Sequence, residues 1–385
     1  MEELIDKYSQ KLVEQELADE KKILFGARET EITWNRWDQR CEELEKIFDS
    51  LNINSLLLAQ PAEPYRSVIE YLMRNSDGTI HPSDCETRTF LHDLPVTPKF
   101  DSESISQILR GRKSVITGEG IVTFGTVTPE QAFVTFSSVC FACFVKFFSD
   151  HLNYSKQNKV PEDMKKAFNK VVPNLKYYPH SFPQLMKRPS CEEDVYRAVK
   201  EAGKLTVDYN LVDSYFGNVS FRMGDTIYIS QTASSLDELE GHIDPCPLDN
   251  SSCAGITASS ELSAHRQIVM DTDNRAILHG HPKFAVILSM DCDWTDCEYQ
   301  NVCHIKCPHE RFINDIPIVP GEVGTGRYGL CNTMPPAIKG RRGAIVYGHG
   351  LFTVGKEDFN EAFENLLNIE KMCKELYFQK LDLNP

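Results

Sequence analysis

Hydrophobic and polar positions along this chain repeat at two spacings, one that suits a helix face and one that suits a strand. Residues 1–50 read as largely helical, with Leu44, Ile47 and Phe48 on an apolar face and Glu42, Glu43, Glu45 and Lys46 on a polar one. An apolar run at 54–60 predicts a strand, and 64–73 predicts a helix. The run at 139–148 is interrupted only by Lys146 and predicts a buried helix. Residues 163–171 predict another, and 191–209 an amphipathic one carried by Val195, Ala198, Val199, Ala202 and Leu205. Strands are expected at 218–223 and 226–230, followed by an exposed, acidic, turn-rich loop over 236–253.

The stretch 258–282 predicts a helix that Ser259 or Ser260 can cap, a turn at Asp271-Thr272-Asp273-Asn274, and a strand over 275–281. A ten-residue helix advances about 15 Å and the strand returns about 20 Å, so a strand that doubles back brings His279 and His281 beside Glu261. Strand residues two apart share a face, so both imidazoles point one way and, with the carboxylate, make half of a divalent-metal site. A buried strand over 341–347 ends in Gly348-His349-Gly350, whose glycines let the chain turn and leave His349 open as a third ligand.

The chain also repeats itself. Gly118-Glu119-Gly120-Ile121-Val122-Thr123-Phe124-Gly125 lines up with Gly348-His349-Gly350-Leu351-Phe352-Thr353-Val354-Gly355, and the register holds to Ala132-Phe133 against Ala362-Phe363. Glu63 and His81 have the spacing of Glu261 and His279, which sets Ser83 in the place of His281 and Glu119 in that of His349. Residues 1–155 are therefore expected to be a shortened, diverged copy of residues 191–385, with 156–190 as connector. Glu63, His81 and Glu119 are either a remnant held for packing or a second metal set.

Ser259-Ser260-Glu261 at a helix start, His279 and His281 at a strand end and His349 in its glycine turn follow Gly217-Asn218-Val219-Ser220 and Thr232. In order, spacing and chemistry this set resembles the class II aldolase/adducin family over roughly 190–380. The resemblance implies an α/β fold: a three-layer α/β/α domain with a mixed, mostly antiparallel central sheet, here duplicated. It implies His279, His281 and His349 as ligands of Zn²⁺ or another divalent cation, and Glu261 as acid/base. It also implies Asn218, Ser220, Thr232, Ser259 and Ser260 around a substrate phosphate, where a helix start suits an anion. Ala233 stands where the family has glycine. The family's proton-donating tyrosine comes from a neighbouring subunit, and Tyr299 falls within a residue of its place.

The implied activity is a metal-dependent carbon–carbon lyase of carbohydrate metabolism. It would cleave a hydroxy-carbonyl compound, phosphorylated or free, by retro-aldol chemistry through a metal-stabilised enediolate. Epimerases, dehydratases and decarboxylases reuse the same triad, and an adducin-like interaction module is the alternative without catalysis. Four converging ligand groups weigh against the last. The family's cyclic tetramers imply that two of these two-copy chains close a pseudo-tetrameric ring, a homodimer.

Composition narrows the partners. A net charge of −15 argues against nucleic acid or an anionic membrane as partner, and an acidic, polar start (MEELIDKYSQ) suggests a cytoplasmic protein. Thirteen cysteines without an export signal make disulfides unexpected. Cys292, Cys297, Cys303 and Cys307 lie in a segment that lengthens the second copy, and are either a structural metal site or four free thiols. No Gly-x-Gly-x-x-Gly follows a strand, which disfavours a dinucleotide-dependent oxidoreductase.

Overall fold

The computed structural model describes all residues except 180, 213–215, 295, 301 and 383–385. It divides into two units, Met1–Lys176 and Tyr177–Pro385. In the first, helix α1 (Glu2–Glu14) precedes strands β1 (Ala18–Arg28) and β2 (Ile32–Trp34), helix α2 (Arg40–Ser50), β3 (Ser55–Pro61) and α3 (Tyr65–Arg74). Then come β4 (Thr79–Ile80), α4 (Cys85–Leu91), β5 (Leu94–Thr97), α5 (Ser102–Leu109), β6 (Ser114–Thr117), β7 (Gly120–Gly125), α6 (Pro129–Lys156) and α7 (Glu162–Val171). The helical reading of residues 1–50 is wrong over β1 and β2. Asp19, Glu20, Lys21 and Lys22 are exposed and mask the first half of β1, while Ile23, Leu24 and Phe25 are buried against β3.

The first sheet runs β2-β1-β3-β7-β6-β5-β4, with β5–β6 its one parallel pair. Leu44, Ile47 and Phe48 of α2 and Ile105 and Leu109 of α5 pack on Leu56, Leu58, Val115 and Val122. Helices α1, α3 and α6 pack together on the strands as a second layer. Helix α6 is long and apolar enough to cross a membrane by composition, yet its most apolar window is 89 % buried within the protein. It is the buried helix expected at 139–148, and no other described helix meets the same criterion.

Near the end of α6, His151 is buried and stacked on Phe168 of α7 at 3.9 Å between ring centres. Burial pushes its imidazole down to about 4. The unfolded chain therefore binds the extra proton between about pH 6.5 and that value, so His151's contribution is complete above the window and lost as pH falls through it. Buried Asp84 acts oppositely: its carboxyl is pushed up to about 6, and its contribution is lost as pH rises. The melting temperature of the His151→Phe variant is expected to fall less than that of wild type as pH drops from about 7 to about 5. An equal shift in both proteins would show that His151 protonates without penalty.

The second unit contains α8 (Glu192–Asp208), β8 (Asn218–Met223), β9 (Thr226–Ser230), β10 (Ile243–Pro247), α9 (Leu262–Asp271), β11 (Ala276–Gly280) and α10 (Lys283–Met290). It continues through β12 (Arg311–Ile313), β13 (Ile316–Val319), α11 (Leu330–Ile338), β14 (Gly343–Val346), β15 (Gly350–Gly355) and α12 (Phe359–Gln379). Its sheet runs β10-β9-β8-β11-β15-β14-β13-β12, antiparallel except at β13–β14. Helices α9 and α11 bury Ile268, Val269, Met334 and Ile338 against Ile277, Val346, Phe352 and Val354. Helices α8, α10 and α12 form the other layer, so the unit is three layers deep. The segment 236–253 is not all exposed loop: it holds edge strand β10 and buries Leu236 and Leu239.

Without β10, the second sheet has the order of the first, and its parallel pair falls at the same step. One tie also recurs: Thr123 donates to the Ala132 carbonyl and Thr353 to the Ala362 carbonyl, each at 2.8 Å. Both features fit duplication of one domain, and they correct the alignment through Glu63 and His81. Ser55 faces Gly125 as Ala276 faces Gly355, so Leu58 occupies the place of His279 and Gln60 that of His281. His81 follows β4, which runs against β5 and β6 and so ends at the other end of the sheet from Glu119. There it pairs with Asp93 at 2.7 Å. The division between units falls inside the expected connector. Helix α7 packs on α3, while Leu185 bonds Asn360.

Candidate metal centre

Strand β11 lies between β8 and β15, and this placement assembles the site. Alternation along β11 directs Ile277 and His279 to the face covered by α9, and His281 follows just past the strand end. His349 sits in the turn between β14 and β15. Gly348 takes a φ of +57°, which suits a residue without Cβ, and a Cβ on Gly350 would lie 2.6 Å from His279 Cε1 and 2.8 Å from His281 Cδ2. The glycines on either side of His349 thus serve the turn and the approach of the other two rings.

Among the described residues, one group of three metal-capable side chains converges: His279, His281 and His349, with ligand atoms within 4.8 Å of one another. The Nε2 atoms of His279 and His281 are 3.1 Å apart. All three residues are buried. Burial holds His279 and His281 well below the ordinary imidazole range, and the His349 ring beside each pushes the same way. Their lone pairs are therefore available near neutral pH. Phe352 stacks on His279 at 4.0 Å and Phe216 on His281 at 5.5 Å, fixing ring planes that neither aromatic announced in the sequence.

Glu261 occupies the N-cap position of α9, one residue before its first turn, and its side chain is buried. Its Oε2 lies 3.5 Å from His279 Nε2 and its Oε1 3.5 Å from His349 Nε2. Nitrogen ligands about 2.0–2.1 Å from a tetrahedral ion lie about 3.3 Å apart, so the observed ring separation suits such an ion. Three imidazole nitrogens with a carboxylate alongside make a donor set compatible with a divalent ion.

The residues assigned to phosphate divide. Asn218 points inward instead: its amide donates to Glu261 Oε2 at 2.6 Å in a buried contact. Ser220 is also turned away, its buried hydroxyl bonded to His265 Nδ1 at 2.7 Å. Both follow from the β8 register, where Asn218 faces His279 and Ser220 faces Ile277. The N–H groups at the helix start already have partners. Ser259 N bonds the Ser230 carbonyl, Ser260 N bonds Thr232 Oγ1, and Glu261 N bonds Ser259 Oγ. Neither Ser259 nor Ser260 caps α9, since Glu261 holds the N-cap position, but Thr232 and Ser260 are adjacent and exposed. Ala233 adopts φ +55°, a conformation that glycine takes more readily.

The thiols of Cys292, Cys297, Cys303 and Cys307 form no metal-capable group of three among the described residues; Cys292 is exposed and Cys303 Sγ contacts the Tyr299 carbonyl. Turns rather than a common strand or helix carry them, so nothing aligns their Cβ directions. Tyr299 accepts from Lys306 Nζ at 3.1 Å, and its described contacts do not reach the histidines. A separate cavity of about 610 Å³, lined by Asn274, Lys339, Arg341 and Lys356, opens at the far end of the sheet, where β11 begins and β15 ends.

In the first unit the corresponding sheet end holds an ion-pair cluster. Arg40, at the same distance ahead of β3 as Glu261 is ahead of β11, lies 3.4 Å from Glu119 Oε2 and 2.6 Å from Asp38 Oδ2. The bond from Arg40 holds the Asp38 carboxyl down to about 2. A cation thus stands where the second unit has its carboxylate.

Residues 197–377 match the family model described as Class II Aldolase and Adducin N-terminal domain. Similar solved structures include L-fuculose-1-phosphate aldolase from Thermus thermophilus, 23 % identical, covering 49 % of this chain and 95 % of its own, with TM-score 0.40. A sugar-phosphate aldolase from Thermotoga maritima is 18 % identical, covering 50 % and 98 %, with TM-score 0.37. YgbL from Escherichia coli, described under aldolase, epimerase and decarboxylase together, is 16 % identical, covering 49 % and 90 %, with TM-score 0.40. No curated protein matches the chain.

Proposed function

Residues 197–377 belong to the class II aldolase and adducin family, and on that premise we propose that this chain is a metal-dependent carbon–carbon lyase. The observation that supports this reading is the buried convergence of His279, His281 and His349 on the Glu261 carboxylate. Zinc or another divalent cation held by the three imidazoles would supply Lewis-acid polarisation of a substrate carbonyl and its neighbouring hydroxyl. Glu261 is the proton carrier. In the cleavage direction the Glu261 carboxylate takes the proton of the hydroxyl on the far carbon, that carbon becomes a carbonyl as the C–C bond breaks, and the bond's electron pair passes to the carbon beside the original carbonyl. Glu261 then delivers a proton to that carbon. Asn218 holds one carboxylate oxygen and so fixes the direction from which the proton arrives. The exposed hydroxyls of Thr232 and Ser260 are the groups offered to an anionic substrate end, such as a phosphate. Tyr299 belongs to the same proposal as a donor supplied to a neighbouring subunit.

The test is product analysis with phosphorylated and free hydroxy-carbonyl compounds, with added metal and after chelation. Two carbonyl-containing fragments that disappear on chelation are expected. An epimer, a dehydrated product or carbon dioxide would reassign the reaction, and no product from metal-loaded protein would favour an interaction module. We also propose a homodimer of the two-unit chain. Light scattering should return a mass near twice 43.8 kDa, and one near four times that value would contradict the pairing.

A further inference from the structure

We propose that Ser289 is a positioning residue that sets His349 against His279 and His281 through helix α10, which Glu370 anchors at its opposite end. The inference rests on the metal-site reading above. Helix α10 begins directly after His281 and Pro282, so the direction of its first turn fixes where His281 stands. Glu370, fully buried on α12, accepts from Phe284 N and Ala285 N at 2.9 Å each. Two backbone donors at a helix start hold a carboxylate well, although burial pushes this one up to about 7.

At the other end of α10, the Ser289 hydroxyl is also fully buried. It donates to the Val286 carbonyl at 2.6 Å and accepts from Gly348 N at 2.8 Å. Gly348 is the left-handed residue immediately before His349, so this bond fixes the turn that presents the third imidazole. Arg311 closes the same helix end, donating to the carbonyls of Ser289 and Asp291 at 2.8 and 2.6 Å. One eight-residue helix therefore joins both ligand-bearing segments, the first through the chain itself at Pro282 and the second through the buried Ser289–Gly348 hydrogen bond. The first unit, which lacks the triad, has Cys140 in the place of Glu370. There the start of α3 is held by its own Glu63, bonded to Ser67 N and Oγ. The anchor from the last helix accompanies the histidines.

The test titrates Co²⁺ into the full chain and follows its visible absorption in wild type, Ser289→Ala and Thr206→Ala. Thr206 is a control: its buried hydroxyl bonds the Ala202 carbonyl within α8. Ser289→Ala is expected to weaken Co²⁺ binding by about 10–100-fold and to alter the spectrum, as loss of a group that orients a ligand does. Thr206→Ala should leave both unchanged. Should the alanine variant not fold, Ser289→Gly at the same helix end removes the same hydroxyl. Wild-type affinity and spectrum in a folded Ser289 variant would overturn the inference, as would an equal loss in Thr206→Ala. A wild type that binds no Co²⁺ would overturn the metal-site reading itself, and this inference with it.

Discussion

Replacing His279 and His281 together by alanine is expected to strip the divalent ion from the purified chain. Wild type should carry about one ion per chain, because three converging imidazole nitrogens beside a carboxylate can enclose a divalent ion. Removing two of three nitrogen ligands leaves His349 and a carboxylate, which do not enclose an ion. The expected stoichiometry is one rather than two. At the corresponding places the first unit has Leu58 in its apolar core, Gln60, and Glu119 paired with Arg40. A second ion would have to displace a guanidinium that already neutralises those carboxylates. Elemental analysis of both proteins gives the answer. Equal metal in the double variant would place the ion elsewhere, with the thiols of the 292–307 insert the first alternative.

Glu261→Gln is expected to keep the ion while turnover falls by roughly 10²–10⁴, the usual worth of a positioned acid/base group. Glutamine preserves the shape of the side chain, and its carbonyl oxygen can still accept from Asn218, which lies 2.6 Å from Glu261 Oε2. What it loses is the ability to carry a proton. The variant therefore separates chemistry from architecture, provided metal content and turnover are measured on the same preparation. Unchanged turnover with metal bound would reduce Glu261 to a helix-start residue that happens to face the histidines.

The histidines and Glu261 were legible in the sequence because they sit on regular elements. Strand alternation put His279 and His281 together, and a helix followed by a returning strand brought Glu261 to them. The strands at 218–223 and 226–230 were equally plain, since Val219, Phe221, Ile227 and Ile229 alternate with polar residues. Three features were not legible. The charged start of β1 hid a buried strand, since a long edge-proximal strand can leave four successive residues in water. Asn218 and Ser220 carried the right residue types for anion contact, but only the pairing register with β11 shows that they face α9. Spacing alone matched Glu63 and His81 to the wrong positions, because equal separations in sequence do not imply equal places in a sheet. Ser289 and Glu370 gave no sequence signal, since their effect is exerted through backbone groups of segments about 60 and 86 residues away.

The most direct measurement is X-ray absorption at the edge of the metal that wild type carries as purified. A single shell of nitrogen and oxygen scatterers at about 2.0–2.1 Å, with the outer-ring pattern of imidazole, is the expected result. A sulfur shell at about 2.3 Å would contradict it, moving the ion from His279, His281 and His349 to the cysteines of the insert.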